Sequence, residues 1–169
     1  HGQTSKTEGL GPIPPALYSF LLQRPFHQCT VCSCDLTSGC FYEIQKVYRG
    51  DEVVFEMALC QTCGESLAHE FSKESIDALK NFLASSFQPS PGTRTCHFCD
   101  FPQQPAKGYT VGGACRAEEL LLPPILLCAT CSEKLQSELS QKTRDRQEEF
   151  VRDNFPGVPA DVDFSHTPG

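Results

Sequence analysis

Residues 59–72 read LCQTCGESLAHEFS and residues 127–140 read LCATCSEKLQSELS, with eight positions the same in both. Each copy sets a Cys-x-x-Cys pair in front of a helical pattern. Leu67 and Phe71 fall four apart on one helix face, as do Leu135 and Leu139. Two further pairs stand upstream, Cys29/Cys32 and Cys96/Cys99, and the intervals from Cys32 to Cys60 and from Cys99 to Cys128 hold 27 and 28 residues. The chain reads as a tandem duplication.

Each half repeats one order of elements. Residues 41–48 (FYEIQKVY) and 52–59 (EVVFEMAL) are rich in β-branched and aromatic side chains and flank Arg49-Gly50-Asp51, which predicts a hairpin. Residues 107–115 and 117–127 predict the second hairpin, with Pro123 and Pro124 imposing an edge or a bend. The first helical pattern is expected to break near Ser72–Ser75 and resume over IDALKNFL. The second, SEKLQSELSQKTRDRQEEFV, is expected to run longer and more polar. Pro14 and Pro15 open a short helix predicted over PPALYSFLL. The expected layout is an N-terminal segment with that helix (1–25), a first module (26–86), a linker (87–93), a second module (94–153) and an exposed tail (154–169).

The totals call for a staple. With 169 residues, 39% of them hydrophobic, no Trp, 13 Pro and 12 Gly, the material is thin for two self-sufficient cores. A unit of about 60 residues buries only about 60% of its unfolded surface. There are 11 Cys. Two Cys-x-x-Cys turns supply four soft anionic ligands, which match the tetrahedral preference of Zn²⁺. Two Zn²⁺ sites are expected, ligated by Cys29, Cys32, Cys60 and Cys63 and by Cys96, Cys99, Cys128 and Cys131. Joining the first pair to the third instead would close a loop of about 67 residues rather than about 28, at a cost of only about 0.8 kcal/mol. The duplication favours local pairing, since each copy then carries a complete ligand set. Fe is the alternative metal, and a disulfide framework the alternative use of the sulfur. Cys34, Cys40 and Cys115 lie outside the repeat and read first as small buried or incidental thiols, with Cys34 and Cys40 as the candidates for a redox role or for alternate ligands. His27, His69 and His97 are not required as ligands.

A knuckle (CTVC, CHFC), a hairpin, and a second pair at the mouth of a helix (CQTCGESL, CATCSEKL) together resemble the treble-clef zinc finger. The resemblance covers about residues 27–83 and 94–153. It implies a small metal-stabilised α+β fold of two tandem treble-clef-like modules, with zinc as the metal and all-thiolate ligation at the eight positions named. The interval of 27 residues is longer than is usual for the class.

Closed four-cysteine sites leave no coordination position for catalysis. The sequence holds no Gly-rich phosphate loop, nucleophile elbow or His-Glu metal motif. Glu65 and Glu133 follow the second pair in each copy, where they serve the helix N-terminus. A non-catalytic protein is expected. The formal charge of −7 weighs against nucleic acid, and the densest basic stretch, KTRDRQEEFVRD (142–153), is interleaved with acids. No segment reads as a membrane span, the run ALYSFLL is too short and lacks a cleavage site for a signal peptide, and a cytoplasmic location is expected. The expected role is protein–protein interaction or adaptor work, with a homodimer as one arrangement and apolar surface offered by ALYSFLL, Phe155 and Phe164. The alternatives are a nucleic-acid-binding zinc ribbon and a zinc-thiolate redox or metal sensor.

Overall fold

A computed structural model describes residues 10–50, 52–86, 96, 98–99, 108–122 and 124–155. The first hairpin forms as expected, from β2 (Phe41–Arg49) and β3 (Glu52–Cys60), with a bulge between Val47 and Tyr48. Gly50 adopts φ +65° at its turn, a conformation that costs glycine nothing. In the second half, β4 (Tyr109–Arg116) turns into a two-residue β5 (Glu119–Leu120) and then into β6 (Ile125–Cys128). The return strand is interrupted between Leu120 and Ile125, where Pro124 stands, so β5 and β6 pair with opposite ends of β4. Among the described residues four α-helices follow the strands: α1 (Gln61–Ala68), α2 (Lys73–Ser86), α3 (Ala129–Ser137) and α4 (Gln141–Asn154). The result is a small α+β fold. The second helical stretch breaks just as the first does, contrary to the expectation of one long helix. Ser140 has β-region backbone angles and its side chain accepts from Thr143 N, which starts a new helix.

The two halves share one antiparallel sheet. β2 pairs with β4 over eight residues, from Phe41↔Arg116 to Tyr48↔Tyr109, and with β1 (Gly11–Pro12) at the far end the strand path is β1-β5-β4-β2-β3 with β6 beside β4. Tyr42 stands opposite Cys60 and Tyr109 stands opposite Cys128, so these tyrosines are equivalent positions of the repeat. Across the junction Tyr42 faces Cys115 and Tyr48 faces Tyr109, which is one pairing seen from either half. A pseudo-two-fold axis therefore runs between Gln45 and Gly112. It is the geometry of an isologous dimer within one chain. The expected linker at 87–93 lies outside the described residues.

Both faces of the sheet are covered, which is why Ile44, Gln45, Lys46 and Val47 are all buried in a row. The helices take the face of Glu43 and Val47: α1 brings Gly64 against Glu43, and beyond α4 Phe155 packs edge-on against Phe55, with ring centroids 4.9 Å apart. The halves also exchange contacts, since Phe82 of α2 stacks at 4.8 Å on Phe98 of the second knuckle.

The other face belongs to the N-terminal segment. The helix expected over residues 14–22 shrinks to one 3₁₀ turn, Pro15–Leu17, because the chain is used instead as a strap across the strands. β1 (Gly11–Pro12) pairs with β5. Leu17 is fully buried and fills the space above Gly113 of β4. Tyr48 Oη of β2 donates to Ala16 O at 2.9 Å, and Lys46 Nζ donates to Tyr18 O. Phe20 N then donates to both carboxylate oxygens of Glu56 on β3, at 3.1 Å each. Lys46 is buried with Glu56 beside it at 3.4 Å. Burial lowers its pKa, and the Glu56 carboxylate opposes that shift.

Candidate metal centres

Four cysteines gather in each half: Cys29, Cys32, Cys60 and Cys63 in the first, and Cys96, Cys99, Cys128 and Cys131 in the second, with the sulfurs of each group within 4.8 Å of one another. The grouping is local, and the crossed arrangement does not occur. All eleven cysteines are free thiols, so the disulfide alternative is not the state described.

Local structure makes each cluster. The second pair of each set opens a helix: Cys60 caps α1 with its Sγ accepting from Cys63 N at 3.4 Å, and Cys128 caps α3 with its Sγ accepting from Cys131 N at 3.5 Å. The first pair is a tight turn in which Cys32 N donates to Cys29 Sγ at 3.5 Å. A strand end then closes the set. Cys60 N donates to Cys29 Sγ at 3.5 Å, and the equivalent Cys128 N donates to Cys96 Sγ at 3.4 Å. Such amide bonds stabilise negative charge on sulfur. The knuckle is fastened to the sheet edge as well, through Thr30 N to Ala58 O at 2.8 Å and Ala58 N to Thr30 Oγ1 at 3.0 Å.

The donor set fits a tetrahedral ion. Four sulfurs held about 2.3 Å from one centre would stand about 3.8 Å apart along each edge. Cys32 Sγ and Cys60 Sγ are 3.8 Å apart, and Cys99 Sγ and Cys128 Sγ are 3.7 Å apart. The titration of the thiols points the same way. In the first cluster the Cys34 amide holds the exposed Cys32 thiol down to about 6, while burial pushes Cys63 far up. In the second, burial works against ionising Cys96, but the amides of Cys128, Phe98 and Cys99 overcome it and lower its pKa; burial raises Cys128 and Cys131. Four thiols this close share charge that a divalent cation would neutralise. Each group could thus hold one metal ion.

The remaining cysteines divide. The Cys34 thiol reaches the first cluster, and its hydrogen bond to Cys32 and its contact with Cys60 push it up to about 12. Ser33 makes this approach feasible with φ +65°, as Cys29 N donates to Cys34 O at 3.0 Å. Cys40 turns away, with its Sγ on Asp35 O at 3.7 Å, so the structure does not bring it to the cluster. Cys115 is buried beside Tyr42. His97 lies outside the described residues, and His27 and His69 belong to neither cluster. Glu65 is bound by the Gln61 side chain at 3.1 Å, which ties it to the helix surface rather than to the cluster. The short Cys32-x-Cys34 spacing had marked Cys34 as an alternate ligand or redox neighbour, and the structure sets it beside the first four-cysteine group without making it a member.

Comparison with protein-family models, with curated proteins and with solved structures gives no match for the chain. Among the described residues no helix is long and apolar enough to cross a membrane.

Proposed function

We propose that the chain is a non-catalytic protein holding two structural Zn²⁺ ions and acting as a protein–protein interaction module. The observation that carries the zinc assignment is the pair of four-sulfur clusters with tetrahedral spacing, each closed by four cysteines and backed by amide donors. A fully occupied four-sulfur shell leaves no position for a reacting water, which supports the non-catalytic reading. The opening of a helix by the second pair favours zinc over a rubredoxin-like iron site, where that pair sits in a loop. It also supports the likeness to tandem treble-clef fingers. Two tetrathiolate zinc sites would take the formal charge from −7 to about −11, which directs the surface towards protein rather than nucleic acid. Elemental analysis of the purified chain should give two zinc per chain, and zinc-edge X-ray absorption should give four sulfurs at about 2.3 Å. Iron, or one metal per chain, would sink the assignment.

Cys34 favours a second reading, in which the first site also senses oxidant. The Cys32 thiolate and the Cys34 thiol would reduce one peroxide with one added proton, forming a disulfide and two waters and releasing one Zn²⁺. Mild peroxide should then free one zinc per chain from the native protein and none from Cys34→Ser. Equal release from both would end this reading.

A further inference from the structure

Four sulfurs make the first centre, and a fifth is built in beside it. Cys34 is placed there by a closed backbone loop: Leu36 N donates to His27 O at 2.7 Å, Gln28 bridges Asp35, and Cys29 N donates to Cys34 O at 3.0 Å. The loop is a short antiparallel ladder whose register sets Cys34 opposite Cys29. Residues directly opposite in such a ladder carry their side chains on one face, with Cβ atoms about 4.5–5.5 Å apart. The Cys34 thiol accordingly reaches the sulfurs of Cys32 and Cys60, although it stands outside the group whose sulfurs all lie within 4.8 Å of one another.

The four members of that group are not equally held. Cys29 Sγ accepts from Cys32 N and from Cys60 N at 3.5 Å each, Cys60 Sγ accepts from Cys63 N at 3.4 Å, and both residues are buried. Cys32 is the one exposed residue among the eight clustered cysteines. Its equivalent in the second copy, Cys99, is half-buried. Two places further on, the first copy has Cys34 and the second has Phe101. The most accessible ligand and the spare sulfur thus belong to the same centre, two residues apart.

We propose that the first centre has two alternative sets of four sulfurs, Cys29, Cys60 and Cys63 completed by either Cys32 or Cys34, so that Cys32 is a releasable ligand and Cys34 its reserve. The exchange moves no electrons. The Cys34 thiol gives its proton to water as its sulfur binds, the Cys32 thiolate leaves, and the ion keeps its charge and its four ligands. Cys32 then stands as an exposed thiolate, the form that attacks soft electrophiles, beside a metal that stays bound. At the second centre the same place in the sequence offers a phenylalanine and no sulfur, so its ligand set is fixed. This inference rests on the reading of the two clusters as zinc sites and deepens it by making one of them adjustable.

The test compares four full chains loaded with Zn²⁺ or Cd²⁺: native, Cys32→Ser, Cys32→Ser/Cys34→Ser and Cys99→Ser. Elemental analysis, zinc-edge X-ray absorption and cadmium-113 resonance count the ions and the sulfurs around each. Cys32→Ser should hold two ions with four sulfurs apiece, its weaker ion yielding to a chelator within about tenfold of the native concentration. The double variant and Cys99→Ser should each keep one four-sulfur ion only. Losing an outer partner alone weakens a metal site about 10–100-fold, so their other ion should be weaker by about a hundredfold or more. A Cys32→Ser chain that loses an ion, a sulfur or its fold as the double variant does overturns the proposal. So does a Cys99→Ser chain with two four-sulfur ions, because a lost ligand is then replaced where no reserve stands two residues on. The zinc reading fails separately, on a native chain that lacks two four-sulfur ions.

Discussion

Ser72 Oγ and Ser140 Oγ lie 2.9 Å apart although the residues are separated by 68 positions, and they are the same position of the two repeats. Each caps its own helix, Ser72 by accepting from Ser75 N at 3.1 Å and Ser140 by accepting from Thr143 N at 3.2 Å. Each amide then reaches across: Ser72 N donates to Thr143 Oγ1 at 2.9 Å, and Ser140 N donates to Ser75 Oγ at 2.8 Å. Ser75 and Thr143 are fully buried. Two helix starts thus complete each other's hydrogen bonding at the junction, which is why both helical stretches break at the same place in the repeat.

This reciprocity should be measurable as coupling. Ser72→Ala and Ser140→Ala each remove a cap and should cost about 1–2 kcal/mol in denaturant unfolding of the zinc-loaded chain. Because the two hydroxyls share partners, the double variant should cost at least about 0.5 kcal/mol less than the two single costs together. Additive costs would mean that the caps act independently.

Metal loss in one half should unfold both. Cys60→Ser removes a thiolate from the first cluster, and a structural zinc in such a site is worth about 10–16 kcal/mol in apparent terms. The sheet runs through both halves by way of β2 and β4, so the second half loses its strand partner when the first melts. The variant should show lowered protection of β6 amides in hydrogen exchange, and the native chain should melt in one transition. Native protection of Ile125–Cys128 in Cys60→Ser would show that the halves are energetically separate.

Much of this was legible in the sequence. The hairpin over 41–60, the bend expected in the return strand, which is interrupted at Pro124, and the local grouping of eight cysteines all follow from short-range pattern and from the repeat itself. The shared sheet was not legible, because a half-buried strand and a strand buried on both faces differ only in what packs on them, and that partner is distant in sequence. The strap was misread for a related reason. Pro14 and Pro15 are good helix openers, but Tyr18 O is taken by Lys46 from β2, so tertiary bonding draws the chain out flat. The second break, at Ser140, carried its own cap signal in Ser140-x-x-Thr143, which the polar run beyond it obscured.

Alkaline stability should fall through Cys115. Burial pushes its thiol from the ordinary 9.0 up to about 12, and Tyr42 beside it is raised in the same way. A raised folded-state value means that the unfolded chain releases its proton first. The stabilising effect of the neutral thiol is therefore whole below pH 9 and is lost as pH climbs towards 12. One proton gives a slope of at most about 1.4 kcal/mol per pH unit. Cys115→Ala should lower stability at neutral pH through the cavity it leaves, yet lose less between pH 9 and pH 11 than the native chain does. Parallel pH profiles would show that Cys115 does not titrate with unfolding.

The strap should be as integral to the fold as any strand. A Cβ placed on Gly113 would come within 2.5 Å of Leu17 Cδ1, and Leu17 is completely buried, so neither atom has room to yield. Gly113→Ala should therefore cost about 1–3 kcal/mol by overpacking. Leu17→Ala alone should cost about 2–5 kcal/mol by opening a cavity above the sheet. In the double variant the new methyl enters the space that the leucine leaves, so the combined loss should fall below the sum of the separate losses by at least about 1 kcal/mol. Urea unfolding of the four zinc-loaded proteins measures all three quantities. If Gly113→Ala is neutral by itself, the strap slides to admit a methyl and is not fixed on β4; if the losses simply add, Leu17 and Gly113 are not in contact in solution, and the layer covering the second face of the sheet is held by β1 and Lys46 rather than by packing.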